Sequence, residues 1–318
     1  MSTAAAPFSV DGKSAIITGA GSGINYCFAK LLLEKNCNVV IADLGLRPEA
    51  QKLIDQYTNQ PRAVFVKTDV VNWDQLTNMF DVAEKEFGGA DIVCPGAGIF
   101  EPHWTNFWHP PGTERSKDDP HGTNGIGHYA CLDINITHPI RTSQLAISRW
   151  LNPTPTSKAG KSSPSNPKRI VHISSIAGQC PTFGVPMYIA SKHAINGFIR
   201  SLAALEPAIG VRVNGVAPGV IRTPLWTEHA EKLVMVDEAQ DVWVEPEEVA
   251  EAMLRCVVEP EVGGGYVMEV LKGATRHVDW RMDPGPQGEG ATVANRGRAD
   301  EEVLEWLAEE GWGVEKRK

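Results

Sequence analysis

Short apolar runs alternate with stretches of helical spacing along the first hundred residues. Ser14–Thr18 (SAIIT) is short, apolar and stops at a glycine cluster, which predicts a buried strand. Helical spacing follows over 28–34, then a second apolar run at Asn38–Asp43. Residues 48–57 predict a helix with Pro48 in its first turn, where the missing N–H costs little. A strand at 63–66, a helix over Trp73–Phe87 and a strand at 91–94 complete the half. Strands that are apolar throughout belong in a parallel sheet covered by helices on both faces. Right-handed crossovers make such a sheet doubly wound.

Two segments interrupt the alternation. Residues 100–129 are rich in Pro, Gly, His and Trp, and their aromatics predict a long loop that packs on something. Residues 152–168 (NPTPTSKAGKSSPSNPK) are nearly free of apolar side chains and read as a mobile surface loop. The pattern then resumes: a strand at 169–173, a long helix over 187–205, a strand at 211–216, a helix opening at Glu245 and running to about Val257, and a last strand at 266–270. Beyond Gly273 the chain is rich in Gly, Pro and charge until Asp300, after which Val303, Leu304 and Leu307 share one face of a short helix. The expected organisation is one domain over 1–280 with two insertions, and a charged tail over 281–318.

The 318 residues are 42% hydrophobic and 22% charged, enough apolar surface for a core without disulfides or a structural metal. The formal net charge of −9 argues against binding nucleic acid through phosphate contacts. There is no run of about 18 apolar residues, so no membrane span is expected, and residues 1–11 lack the pattern of a secretory signal. The six cysteines are scattered without metal-ligand spacing and read as reduced, mostly buried thiols of a cytoplasmic protein. His103 and His109 find no third ligand with sensible spacing, so no metal is expected.

The chemistry begins at Thr18-Gly19-Ala20-Gly21-Ser22-Gly23-Ile24-Asn25, between the first strand and the first helix. Glycines there permit a tight turn and bring backbone N–H groups to a pyrophosphate at the helix N-terminus. Asp43 follows Gly23 by twenty residues, at the end of the second strand. A carboxylate at that place accepts hydrogen bonds from a ribose 2′-OH and repels a 2′-phosphate, which favours NAD over NADP; Arg47 nearby is the counter-signal.

Tyr188 and Lys192 are four residues apart on a helix and so share a face. Ser175 precedes Tyr188 by thirteen residues, at the end of a strand, so hydroxyl and phenol are expected to converge at the carboxyl edge of the sheet. A phenol has a pKa near ~10, too high for proton exchange at neutral pH, and a neighbouring ammonium favours its anion. A serine hydroxyl there can hydrogen-bond a substrate oxygen as charge develops on it.

These motifs, in this order, resemble the short-chain dehydrogenase/reductase family over about residues 14–273, most nearly its NAD-dependent 15-hydroxyprostaglandin-dehydrogenase-like members. The resemblance implies a Rossmann-type α/β fold, with Tyr188 as general acid/base. Lys192 would lower the pKa of Tyr188 and bind the nicotinamide ribose, and Ser175 would position the substrate. Asn135 resembles the residue that holds a water in the proton relay. Besides Gly19, Gly21, Ser22, Gly23, Ile24 and Asp43, the resemblance assigns cofactor contacts to Leu44, to the adenine-contacting pair Asp69 and Val70, and to the turn Gly96-Ala97-Gly98. Pro218, Gly219, Ile221 and Thr223 correspond to the stretch that holds the nicotinamide carboxamide. Two positions depart from the family. Asn25 stands where a third turn glycine is usual, which requires the helix to sit away from the strand or the side chain to point outward. Pro95-Gly96 stands where the family has two asparagines.

Residues 225–244 correspond to the segment that usually forms a substrate lid. Trp226, Leu233, Val234, Met235, Val236 and Trp243 there either pack on the core or line an apolar pocket, with Trp104, Phe107 or Trp108 contributing from the first insertion. The expectation is an oxidoreductase that moves hydride between NAD(H) and a secondary alcohol or ketone on a bulky hydrophobic small molecule. Two alternatives stay open: a catalytically idle NAD-binding regulator, and a biosynthetic enzyme performing a non-redox or coupled step such as cyclisation or dehydration. The family usually pairs the helices around Asn135 and Tyr188 between subunits. Ala194, Phe198, Leu202 and Leu205 give the second an apolar stripe, so a homodimer or homotetramer is expected.

Overall fold

The computed structural model describes residues 7–122, 125–228, 242–279, 296–312 and 314. Eight strands form one sheet in the order β3-β2-β1-β4-β5-β6-β7-β8. They are β1 (Ser14–Thr18), β2 (Asn38–Asp43), β3 (Ala63–Lys67), β4 (Ile92–Cys94), β5 (Lys168–Ile173), β6 (Val211–Pro218), β7 (Val267–Leu271) and β8 (Ala274–His277). All neighbours from β3 to β7 pair in parallel, and β8 returns antiparallel to β7. The strand β8 was not expected: it follows a tight turn, and its four residues (ATRH) are exposed, so no apolar run marks it.

The two-residue period of the strands explains why they are apolar throughout. Ala15, Ile17, Val39 and Ile41 enter one core, packed under α1 (Gly23–Glu34) and α8 (Pro246–Val258). Ile16, Val40 and Ala42 enter the other, under α3 (Trp73–Phe87) and α4 (His138–Leu151). Burial of such side chains contributes about 1.5–3 kcal/mol each, so both faces of the sheet stabilise it. The strand order reverses at β1, which leaves a crevice beyond the carboxyl ends of β1 and β4, the switch point where this architecture binds ligands.

The remaining helices are α2 (Pro48–Gln56), α5 (Pro186–Ser201), α6 (Leu205–Ile209), α7 (Pro224–Thr227) and α9 (Arg296–Ala308). Helix α4 escapes the apolar pattern because His138, Thr142, Ser143 and Ser148 are among its buried residues. The 152–168 segment is anchored at several points, against the expectation of a mobile loop. The amides of Lys158 and Ala159 donate to Gly88, and Lys168, fully buried, pairs with Asp91 at 2.7 Å. In the tail, Leu307 is buried in the second core while Val303 and Leu304 are exposed. Asn152 donates to the carbonyl of Trp312 at 2.7 Å. Among the described residues no helix is long and apolar enough to cross a membrane.

Candidate active site

A cleft of about 560 Å³ opens at the switch point. Gly19, Ser22, Gly23 and Ile24 form its floor beside Asp43 and Leu44. Asp69, Val70, Gly96, Ala97 and Gly98 line one wall, and Pro218, Gly219, Ile221 and Thr223 the other. Ser175, Tyr188 and Lys192 close one end. Gly21 and Asn135 do not line it and act behind it. The Gly21 amide donates to Asp43 Oδ2 at 2.8 Å, and a β-carbon on Gly21 would stand 2.8 Å from that same oxygen. Only glycine admits this approach of the β2 carboxylate to the turn.

The first-turn N–H groups of α1 have no side-chain cap and no acidic neighbour in that turn. A positive helix end without an internal anion suits a phosphate. For Asn25 the alternatives are a helix set away from the strand or a side chain pointing outward; the second does not hold, because Asn25 is buried and points inward. Its amide fills the space over Gly96, with its Cγ 2.7 Å from where a Gly96 β-carbon would stand. The two departures from the family pattern therefore meet in space.

Ser175 ends the loop after β5, where its oxygen accepts from the Ala177 amide at 3.2 Å. Its hydroxyl also donates to the Pro218 carbonyl at 3.5 Å and faces the Tyr188 phenol. Burial raises Tyr188 to about 12, and the Ser175 hydroxyl offsets part of that. Lys192 lies one helical turn on. Its Nζ donates to the Ile173 carbonyl at 2.9 Å and sits 5.4 Å from the centre of the Tyr188 ring. Burial lowers Lys192 to about 8. The expectation that Lys192 brings the phenol toward its anion is thus opposed in the protein alone by desolvation, which acts on both groups and disfavours both charges.

Asn135 sits in a π-helical turn (Asp133–Thr137) just before α4. Its Oδ1 accepts from the Ile99 amide and its Nδ2 donates to the Ile99 carbonyl, both at 2.9 Å, with Ser191 Oγ at 3.3 Å. The side chain clamps the chain after β4, which carries Gly98, to the turn. Two buried neutral histidines lie below. His138 Nε2 faces the Thr18 hydroxyl at 3.0 Å, which in turn accepts from the Ala97 amide at 3.2 Å. Burial lowers His138 to about 4 and His172 to about 3.

Two residues near Tyr188 were not anticipated. Phe100 packs edge-on against Tyr188 at 4.7 Å and against Trp226 at 4.9 Å. Glu101, 3% exposed, accepts from the Tyr188 amide at 2.8 Å and from the Phe107 amide at 3.0 Å. Its carboxylate fastens the first insertion to the first turn of α5. No local signal marks it, because the contact spans 87 positions. Of the aromatics expected at the pocket, Trp226 lines the cleft. Trp104, Phe107 and Trp108 do not; Trp108 packs on Phe183 at the surface, and Trp243 is buried. Leu233, Val234, Met235 and Val236 lie outside the described residues.

A family model described as short chain dehydrogenase matches residues 13–233. Human 15-hydroxyprostaglandin dehydrogenase [NAD(+)] is 30% identical over 221 residues, 68% of this chain and 71% of its own. Cis-4-hydroxycyclohexanecarboxylate dehydrogenase from Sinomonas cyclohexanicum is 32% identical over 246 residues, 76% of this chain and 87% of its own. A short chain dehydrogenase from Burkholderia cenocepacia J2315, solved in complex with NADP, superposes with a TM-score of 0.64 at 24% identity, covering 84% of this chain and 99% of its own. A match of the family model over more than half the chain, joined to a relative at 32% identity over 76% of it, carries the assignment: this chain belongs to the short-chain dehydrogenase/reductase family of oxidoreductases.

Proposed function

We propose that the protein is an NAD(H)-dependent oxidoreductase acting on a secondary alcohol or ketone of a bulky hydrophobic small molecule, with Tyr188 as the general acid/base. The observation that carries this reading is the meeting of Ser175, Tyr188 and Lys192 at one end of the cleft whose other end is the glycine turn and Asp43. The uncapped α1 terminus and the close approach at Gly21 fit a dinucleotide. Ser22, Gly23 and Ile24 would hold its pyrophosphate, Asp43 with Leu44 the adenosine ribose, Asp69 and Val70 the adenine, and Ile221 with Thr223 the carboxamide. Bound NAD supplies the hydride acceptor and a positive charge near the phenol.

The chain's own groups do the rest. Tyr188 Oη exchanges a proton with the substrate oxygen, and Ser175 Oγ hydrogen-bonds that oxygen as it gains charge. Lys192, held by the Ile173 carbonyl, keeps its ammonium on the phenol's side of the cleft. Asn135 keeps Ile99 and Gly98 in place by its clamp. Phe100, Ile176 and Trp226 supply the apolar wall against which a bulky ligand excludes water. The relatives named for a hydroxyprostaglandin and a hydroxycyclohexanecarboxylate support a hydroxyl on a largely apolar carbon frame.

The free cysteines, five of six buried, accord with a reducing cytoplasmic setting. A homodimer or homotetramer through the outer face of α5 is part of the same reading, since Ala194 is exposed there and Phe198 is half-buried, although Leu202 packs against the second core and Leu205 is buried in it. The reading is tested by following nicotinamide absorbance with NAD and with NADP against a panel of apolar secondary alcohols. Turnover with NAD on at least one is expected, and preference for NADP or turnover on none overturns it.

A further inference from the structure

The loop after β2 folds around Gly21. Asp43 Oδ2 accepts from the Gly21 amide at 2.8 Å, and the Arg47 amide donates to the Gly21 carbonyl at 3.2 Å. Arg47 is the cation of the Leu44-Gly45-Leu46-Arg47 segment. Its backbone is thus fixed beside the same glycine as the Asp43 carboxylate. Its guanidinium extends to Glu228, just after α7, with Nη1–Oε1 at 2.6 Å and Nη2–Oε2 at 2.5 Å. Arg47 and Glu228 both line the cleft, and the bridge joins the loop that holds Asp43 to the segment after Thr223 and Trp226. A forked pair of this kind fixes the guanidinium plane as well as neutralising its charge.

A 2′-phosphate needs a cation with donors turned toward it. The cation closest in the chain to Asp43 is instead held end-on by a carboxylate from across the cleft. We infer that Glu228 determines cofactor specificity together with Asp43: it holds the Arg47 guanidinium away from a 2′-phosphate and neutralises its charge, which leaves the Asp43 carboxylate as the charge that a 2′-phosphate would meet. Discrimination between the two dinucleotides is then divided between a residue that meets the ribose and one that restrains the competing arginine. Without Glu228, Arg47 swings toward the ribose and offers a 2′-phosphate its fork, against which only Asp43 remains. The inference rests on the reading that the cleft binds NAD.

Equilibrium binding of NADH and NADPH to the full chain, read by quenching of tryptophan fluorescence at low ionic strength, tests it without turnover. Wild type, Glu228→Gln, Arg47→Met and the double variant are compared. Both side chains are more than a third exposed, so the variants fold. Glu228→Gln is expected to tighten NADPH by roughly fivefold or more while NADH changes by less than about twofold. The double variant is expected to lose that gain. An unchanged NADPH affinity in Glu228→Gln, or a gain that survives in the double variant, overturns the inference while the NAD reading stands. Wild type that binds NADPH as tightly as NADH, or binds neither, overturns both.

Discussion

The amide of Asn25 on α1 occupies the space that a side chain on Gly96, after β4, would need. All three amide atoms of Asn25 crowd that point, and the Asn25 side chain is closed in by Gly19 on its other side. The pair is therefore coupled: a larger residue at 96 requires a smaller one at 25. Gly96→Ala is expected to cost about 1–3 kcal/mol, and Asn25→Gly in the same chain to recover most of it. Denaturant unfolding of the four members of the cycle measures the coupling. Additive losses would show that the two positions do not share the space.

Glu101 fixes the start of the helix that carries Tyr188. Its two oxygens accept from two backbone amides, and a glutamine has only one acceptor to offer them. Glu101→Gln is expected to lose about 1–3 kcal/mol of stability. It is also expected to lower turnover while NADH affinity stays within about twofold, because the proposed cofactor contacts do not include Glu101. Unfolding and NADH titration on the same preparations check both. Equal losses of turnover and NADH affinity would mean that the whole cleft, and not the Tyr188 end, depends on this carboxylate.

The ionisation of Tyr188 should differ between the free and the cofactor-loaded protein. Burial holds the phenol at about 12, and Lys192, at about 8, sheds its charge well before the phenol titrates. Without cofactor, the phenolate absorbance that distinguishes wild type from Tyr188→Phe is expected only at strongly alkaline pH. With NAD bound, an added positive charge moves that absorbance to lower pH. Phenolate formation near neutral pH in the free protein would contradict this.

Acid should destabilise the fold through His138 and His172. Both are fully buried and held neutral, at about 4 and about 3, and His172 Nδ1 has no hydrogen-bond partner among the described residues. Their folded pKa values lie below the unfolded value of about 6.5, so their stability contribution is complete above pH 6.5. It falls as pH drops below that, by about 1.4 kcal/mol per pH unit for each histidine. Urea unfolding between pH 7.5 and 5 should show the slope, and His172→Asn should remove about half of it. A variant with the wild-type slope would contradict the assignment.

How far the sequence anticipated the structure depended on whether the pattern was local. The strands were legible because both faces of the sheet are covered, leaving apolar runs such as SAIIT and NVVIAD. Helix α3 was legible to the residue because Asn72 caps it and Gly88 stops it. Helix α4 was not, since the buried residues of its first half include His138, Thr142 and Ser143, and buried apolar side chains such as Leu145 and Trp150 become frequent only in its second half. Glu101, Phe100 and the Arg47–Glu228 bridge were not legible either, because each acts through a partner far away in the chain. The Ser175, Tyr188 and Lys192 positions were legible because one helical turn and one strand end fix their spacing.

The most direct measurement is turnover by Tyr188→Phe with NAD and a substrate alcohol, alongside NADH binding by the same variant. The phenol oxygen is the only group the substitution removes. The account predicts a loss of turnover of roughly 10²–10⁴-fold with NADH affinity essentially unchanged. Turnover equal to wild type would contradict it.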